Sequence, residues 1–150
     1  MKKLLLALFF MTLISCSKKM NFVKTIKITP DCTLGFLKYD KEMDLFYQPY
    51  LIQKNKATAI KNYDINNGFN SGYSDLKVSP NKSYFIIENI IKGYSDDGTE
   101  KKLHENYLCS IVSIKGDSII VGSLQDRCDG YWNINNQFIF ENEIVFDGKQ

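Results

Sequence analysis

The chain has 150 residues, with 19 basic and 17 acidic side chains, a formal net charge of +2 and 44% hydrophobic residues. Lys2 and Lys3 account for the charge excess and leave 17 of each sign elsewhere. Scattered, balanced charge lacks the basic stripe that nucleic acid requires, so nucleic acid is not an expected partner.

Taken in order, the first element is MKKLLLALFFMTLISCSKK. Lys2 and Lys3 precede an apolar run from Leu4 to Ile14, a charged region followed by a hydrophobic one. It is too short and wrongly flanked for a stable membrane span, and reads as a signal helix. Leu13-Ile14-Ser15-Cys16 resembles the lipobox of bacterial lipoproteins: Leu three before the cysteine, a small residue next to it, then Cys. The resemblance covers only these sixteen residues. It implies cleavage before Cys16, lipid on its thiol and acylation of its new amine. Each buried CH2 contributes about 0.8 kcal/mol, so a fatty-acid chain holds the protein to the membrane with roughly 10 kcal/mol. Ser17 stands where an Asp would signal inner-membrane retention, which favours the outer membrane. The division expected is therefore a signal peptide over 1–15, a lipidated tether over 16–21 and a single domain over 22–150.

Lipidation of Cys16 leaves Cys32, Cys109 and Cys128 for an oxidising compartment, enough for one disulfide and one free thiol. Cys109 and Cys128 are the favoured pair because an intervening hairpin returns the chain, with Cys32 as the alternative partner for either. The three are too widely spaced for a zinc site.

Residues 22–29 (FVKTIKIT) alternate apolar and polar, the pattern of a half-buried strand, and Pro30-Asp31 ends it. Residues 33–39 read as a second strand with Gly35 as a weak spot or bulge. Residues 45–47 form a short strand before Pro49, and 50–53 with 57–60 flank a tight hairpin at residues 54–56. Residues 61–75 (KNYDINNGFNSGYSD) fit neither period and read as a long surface loop. Residues 83–91 and 102–114 are β-prone runs around an Asp-Gly turn signal at 97–98. Residues 118–122, 137–140 and 143–146 add further strands, the last two around Asn142. The domain is expected to be all-β and antiparallel, a sandwich or partly open barrel.

A faint repeat accompanies this pattern. Residues 29–36 can be laid on 79–86, with 132–139 as a looser third copy in phase with Val78. Val78-Ser79-Pro80-Asn81-Lys82 looks like the strand-entry motif of some β-propeller blades, so blade-like units are a possible substructure. The chain is too short to close a propeller, which needs about four blades or more.

Catalytic chemistry is sparse. His104 is the one histidine, and a Cys–His pair would need a reduced cysteine beside it. Asp96-Asp97 reads as a turn, and Asp126 and Asp129 flank a disulfide loop. Neither suits glycoside hydrolysis, and Asp96-x-Gly98 lacks the ligand pattern of a calcium loop. No cofactor or metal is expected, and the domain reads as non-enzymatic. Tyr63, Phe69 and Tyr73, in a loop rich in Asn, Ser and Gly, resemble an adaptable recognition surface, and Trp132 offers either a second aromatic patch or a core residue. The expected role is a lipid-anchored envelope protein that binds another protein, of adaptor or immunity type. A small-molecule or glycan binder is the alternative and an envelope hydrolase the third reading. Cys16→Ala is expected to abolish both palmitate labelling and membrane partitioning; a variant that keeps both would overturn the lipoprotein assignment.

Overall fold

A computed structural model describes residues 20–70, 72, 76–96, 98, 100–125 and 127–149. Cys16 with the signal region, Tyr73, Asp97 and Asp126 lie outside the described residues. The described chain is all-β and antiparallel, as the alternation predicts. One large sheet has the order β1 (Lys24–Thr29), β2 (Cys32–Asp40), β3 (Leu45–Gln53), β5 (Gly68–Asn70), β7 (Tyr84–Asp96), β8 (Lys101–Ser113), β9 (Ser118–Gln125). β4 (Lys56–Ala59) adds to β3, and β6 (Lys77–Val78) adds to β7. A small sheet follows, of β10 (Tyr131–Trp132), β11 (Gln137–Phe140) and β12 (Glu143–Asp147).

Local chemistry sets the turns. Lys54 and Asn55 both have positive φ, as do Glu141 and Asn142, which is the geometry of two-residue hairpins whose twist matches the flanking strands. Gly35 is not a bulge: it pairs regularly with Thr25 and Tyr50, and the irregularity in the β1–β2 ladder falls between Lys27 and Thr29. Glycine is needed at 35 because a Cβ there would lie 2.7 Å from the Phe22 ring and 3.0 Å from Ile52 Cδ1.

Strand β3 runs straight through Pro49, which the sequence reading took as a break. Leu45 and Phe46 pair with β5, whereas residues 50–53 pair with β4. Pro49 and Gln48 (φ 57°) occupy the changeover, where a missing N–H costs no ladder bond to either partner. The Pro49 carbonyl is still used, accepting from Ile60 N at 3.0 Å.

The long loop expected over 61–75 is corrected by the structure. It contains β5, which joins β3 to β7 and so holds the two halves of the sheet together. Phe69 is only 2% exposed and packs against Phe36 and Tyr63. Gly68 is required beside it because a Cβ would strike the Leu45 side chain.

The sheet curls until its two halves face each other. Ile26, Leu34, Phe36 and Leu51 from one half share an interior with Phe85, Ile87, Val112 and Ile119 from the other. Just after β4, Lys61 makes a parallel bridge to Ser118: Lys61 N donates to Asp117 O at 2.8 Å and Ile119 N donates to Lys61 O at 3.0 Å. The result is a curled sheet without full barrel closure. On the opposite face of β7 and β8, Ile86, Cys109 and Ile111 form a second interior with Phe138, covered by the small sheet.

The repeat takes an unexpected form. The turns at Ser79 and Asn133 are alike: Lys82 N donates to Ser79 O, as Asn136 N does to Asn133 O, and both donor residues have positive φ. Ser83 N donates to Ser79 Oγ, as Gln137 N does to Asn133 Oδ1. The turn at Pro30–Asp31 is different, a two-residue link between paired Thr29 and Cys32. Strands from both halves of the chain merge in one sheet, so the likeness is of turns and not of blades. Phe69→Ala is expected to destabilise the domain by about 3–5 kcal/mol, measured by denaturant unfolding. A loss below about 1 kcal/mol would show that β5 is not part of the core.

Candidate functional site

Most of the β7–β8 ladder is flanked. β6 covers Phe85 and Ile86, β5 covers Asn89 and Ile90, and β9 covers β8 from Leu108 to Ser113. Beyond these points residues 91–96 pair only with 101–106 among the described residues, from Ile91↔Asn106 to Asp96↔Lys101. A two-stranded ribbon therefore projects from the body, with unpaired backbone along both edges. A hairpin of this kind is marginal in water by itself, and open edges invite pairing with another chain.

Side chains stiffen one face of the ribbon. Lys92 Nζ lies 2.8 Å from Glu105 Oε1, Tyr107 Oη donates to Glu105 Oε2 at 2.5 Å, and Lys101 Nζ stands 4.8 Å from the Tyr94 ring centroid. The Lys92 hydrogen bond, followed by that of Tyr107, holds the Glu105 carboxyl below its ordinary range. Tyr94 and Leu103 sit opposite each other on this face and are 43% and 44% exposed. On the other face Ser95 Oγ lies 2.7 Å from His104 Nε2. That contact is exposed, and Cys109 is consumed in a disulfide, so no Cys–His nucleophile pair forms with it.

At the base of the ribbon, the Tyr107 face runs into a cleft of about 290 Å3 lined by Lys77, Glu88, Tyr107, Leu108, Cys109, Cys128 and Asp129. Its wall is the join between the large and small sheets. Cys109 and Cys128 are bridged, with Cα atoms 5.3 Å apart, the favoured pairing of the three thiols. A link closing a loop of this length stabilises by about 3 kcal/mol in the chain-entropy account. Lys77 Nζ donates to Cys128 O at 2.7 Å and to Gly130 O at 3.0 Å, while Trp132 Nε1 donates to Lys77 O at 3.1 Å. Removal from water raises the Glu88 carboxyl above its ordinary range, and Asp129 adds to the effect. Sequence reading paired Asp129 with Asp126; in the fold its charge acts on Glu88, far away in the chain.

The other candidates fall elsewhere. Phe69 belongs to the core, not to a ligand-facing surface. Tyr63 is half-buried and stacked on it, its hydroxyl donating to the Asn67 carbonyl, and burial pushes its phenol up. Trp132 lies in an aromatic cluster with Tyr84, Phe138 and Phe146 beside the second interior. Cys32 is the buried free thiol; burial, with a smaller contribution from Asp117, pushes it to about 11. The ribbon was missed because its hairpin signal reveals pairing but not where neighbouring strands stop. No protein-family model matches the chain, and no curated protein or solved structure matches it.

Glu88 gives the cleft a pH signature. Its raised folded pKa means that ionisation opposes folding, a penalty absent below the ordinary carboxylate range and growing as pH rises through it. Glu88→Gln is expected to raise the melting temperature by roughly 2 °C at neutral pH and by nothing near pH 3, a scale set by partial solvent screening. Equal shifts at both pH values would remove the desolvated carboxylate from the account.

Proposed function

We propose that this is a lipid-anchored cell-envelope protein whose β domain binds another protein through the projecting β7–β8 ribbon. The ribbon carries the reading: among the described residues, both of its edges offer backbone groups that no neighbouring strand pairs. Strand addition to an exposed edge supplies affinity through main-chain hydrogen bonds and specificity through alternate side chains. Tyr94 and Leu103 supply exposed apolar area beside the Lys92–Glu105 ion pair, with an aromatic ring of the kind that interface centres favour. The lipobox-like Leu13-Ile14-Ser15-Cys16 supports attachment to a membrane by Cys16, with the outer membrane favoured by Ser17. A membrane-tethered domain with a rigid body and one projecting strand pair suits an adaptor or immunity-type role, in which the partner is met at the cell surface and held. Catalysis forms no part of this proposal.

The test is site-specific photo-crosslinking in native cells from position 103, compared with the same probe at Lys27 on β1. A discrete adduct from position 103 alone is expected. In detergent extracts, the Tyr94→Ser, Leu103→Ser double variant should bind the adduct partner at least roughly tenfold more weakly, the loss typical of central anchors. Its melting temperature should stay near that of the parent, because neither side chain belongs to either interior. Unchanged binding in the double variant would sink the ribbon as the docking element.

A further inference from the structure

Where the ribbon joins the body, the face of β7 and β8 that is apolar along Phe85, Ile87 and Val112 becomes polar. Asn89 and Ser110 continue that face and are 2% and 1% exposed, with Asn89 Nδ2 donating to Ser110 Oγ at 2.8 Å. Asn67, 8% exposed, comes to the same place from the turn before β5, where its N–H donates to Asp64 O at 3.0 Å. These residues line a pocket of about 280 Å3 with Asn62, Asp64, Ile91, Leu108, Ile119 and Gly122.

Two amide oxygens in this lining, Asn67 Oδ1 and Asn89 Oδ1, are buried and have no hydrogen-bond partner among the described residues. Buried polar atoms are nearly always paired, so two orphans around one cavity mark a place that another molecule completes. Two amide nitrogens of the lining serve other groups: Asn62 Nδ2 donates to Ile119 O at 3.1 Å, and Asn89 Nδ2 donates to Ser110 Oγ. One Asp64 oxygen accepts from Asn66 N at 2.9 Å. What the pocket offers is these acceptors together with the Ser110 hydroxyl, walled by aliphatic side chains. No Lys or Arg lines it, which argues against an anion, and a single carboxylate is too little for a divalent cation.

We infer that this pocket binds a small neutral polyhydroxyl ligand, such as the terminal sugar of a glycan. Its hydroxyls donate to Asn67, Asn89 and Asp64 while its C–H surface rests on Ile91, Leu108 and Ile119. Neither orphan oxygen touches bulk water, so binding turns the terminal amides about their last side-chain torsion, which is a soft one, and the Asn89 amide exchanges its bond to Ser110 for one to the ligand. The site is distinct from the ribbon face proposed for the protein partner: Ile91 projects on the side opposite Tyr94 and Leu103.

The probes are glucose and N-acetylglucosamine, titrated into the full chain in detergent, with calcium chloride and sodium sulfate as competing probes. The readout is the side-chain amide NMR signals of Asn67 and Asn89. A saturable displacement by at least one sugar is expected, lost in Asn89→Leu and weakened in Asp64→Ala, an exposed position outside both interiors. If Asn89→Leu fails to fold, the weakened sugar response in Asp64→Ala carries the result. No displacement by either sugar, displacement by calcium or sulfate alone, or an undiminished sugar response in the folded variants would overturn the inference. Ribbon crosslinking is read out separately, so either proposal can fail without the other.

Discussion

Side chains along β7 and β8 alternate between two interiors. Phe85, Ile87 and Val112 point into the curled half of the sheet, while Ile86, Cys109 and Ile111 point toward the small C-terminal sheet. A shift of one residue in either strand would exchange these faces and empty both interiors at once. The thirteen-residue length of each strand has a second effect. Both interiors are filled before the strands end, so the surplus leaves the body as a ribbon.

The small sheet depends on the same ladder for its position. It reaches the body through side chains and one covalent bridge, not through a continuous ladder. Cys128 is bridged to β8, Lys77 and Trp132 exchange bonds between β6 and the segment leading into β10, and Asn81 N donates to Asn136 Oδ1 at 2.8 Å where the two similar turns meet. The Tyr84 ring lies between these parts, edge-on to Phe146 and stacked near Trp132. These contacts come from β6, the turn before β7, and β7 and β8 themselves, so the cleft at this join is shaped by how the small sheet is held.

Elements governed by near neighbours were legible in the sequence. The alternation of Ile26 and Ile28 against Thr25 and Lys27 marked β1, and Lys-Asn and Glu-Asn turns marked two hairpins. β5 was illegible because three residues carry no period; Gly68 and Phe69 become strand only because β3 and β7 flank them. The continuity of β3 through Pro49 was hidden for a similar reason, since it depends on two different strands meeting one edge. Among the site residues, the Cys109–Cys128 pairing followed from a returning hairpin. The aromatic surface around Tyr63 and Phe69 was misjudged because Asn- and Gly-rich surroundings resemble a loop even when the rings point inward. Neither the joint influence of Glu88 and Asp129 nor the Asn67–Asn89 pocket has any local signal, because each unites distant segments.

The alternation on β8 also bears on how the thiols find each other. Cys32 belongs to the first interior and Cys109 to the second, so once the ladder has formed the sheet itself stands between them. Cys128 approaches only from the far side, with the small sheet. Register thus acts as a sorting step for oxidation. A chain that pairs its strands correctly before its thiols react is left with one permitted bridge, and the spare thiol is shut away with its ionisation suppressed. Three cysteines in one fold, which would ordinarily invite scrambling, are made safe by the parity of a β-strand.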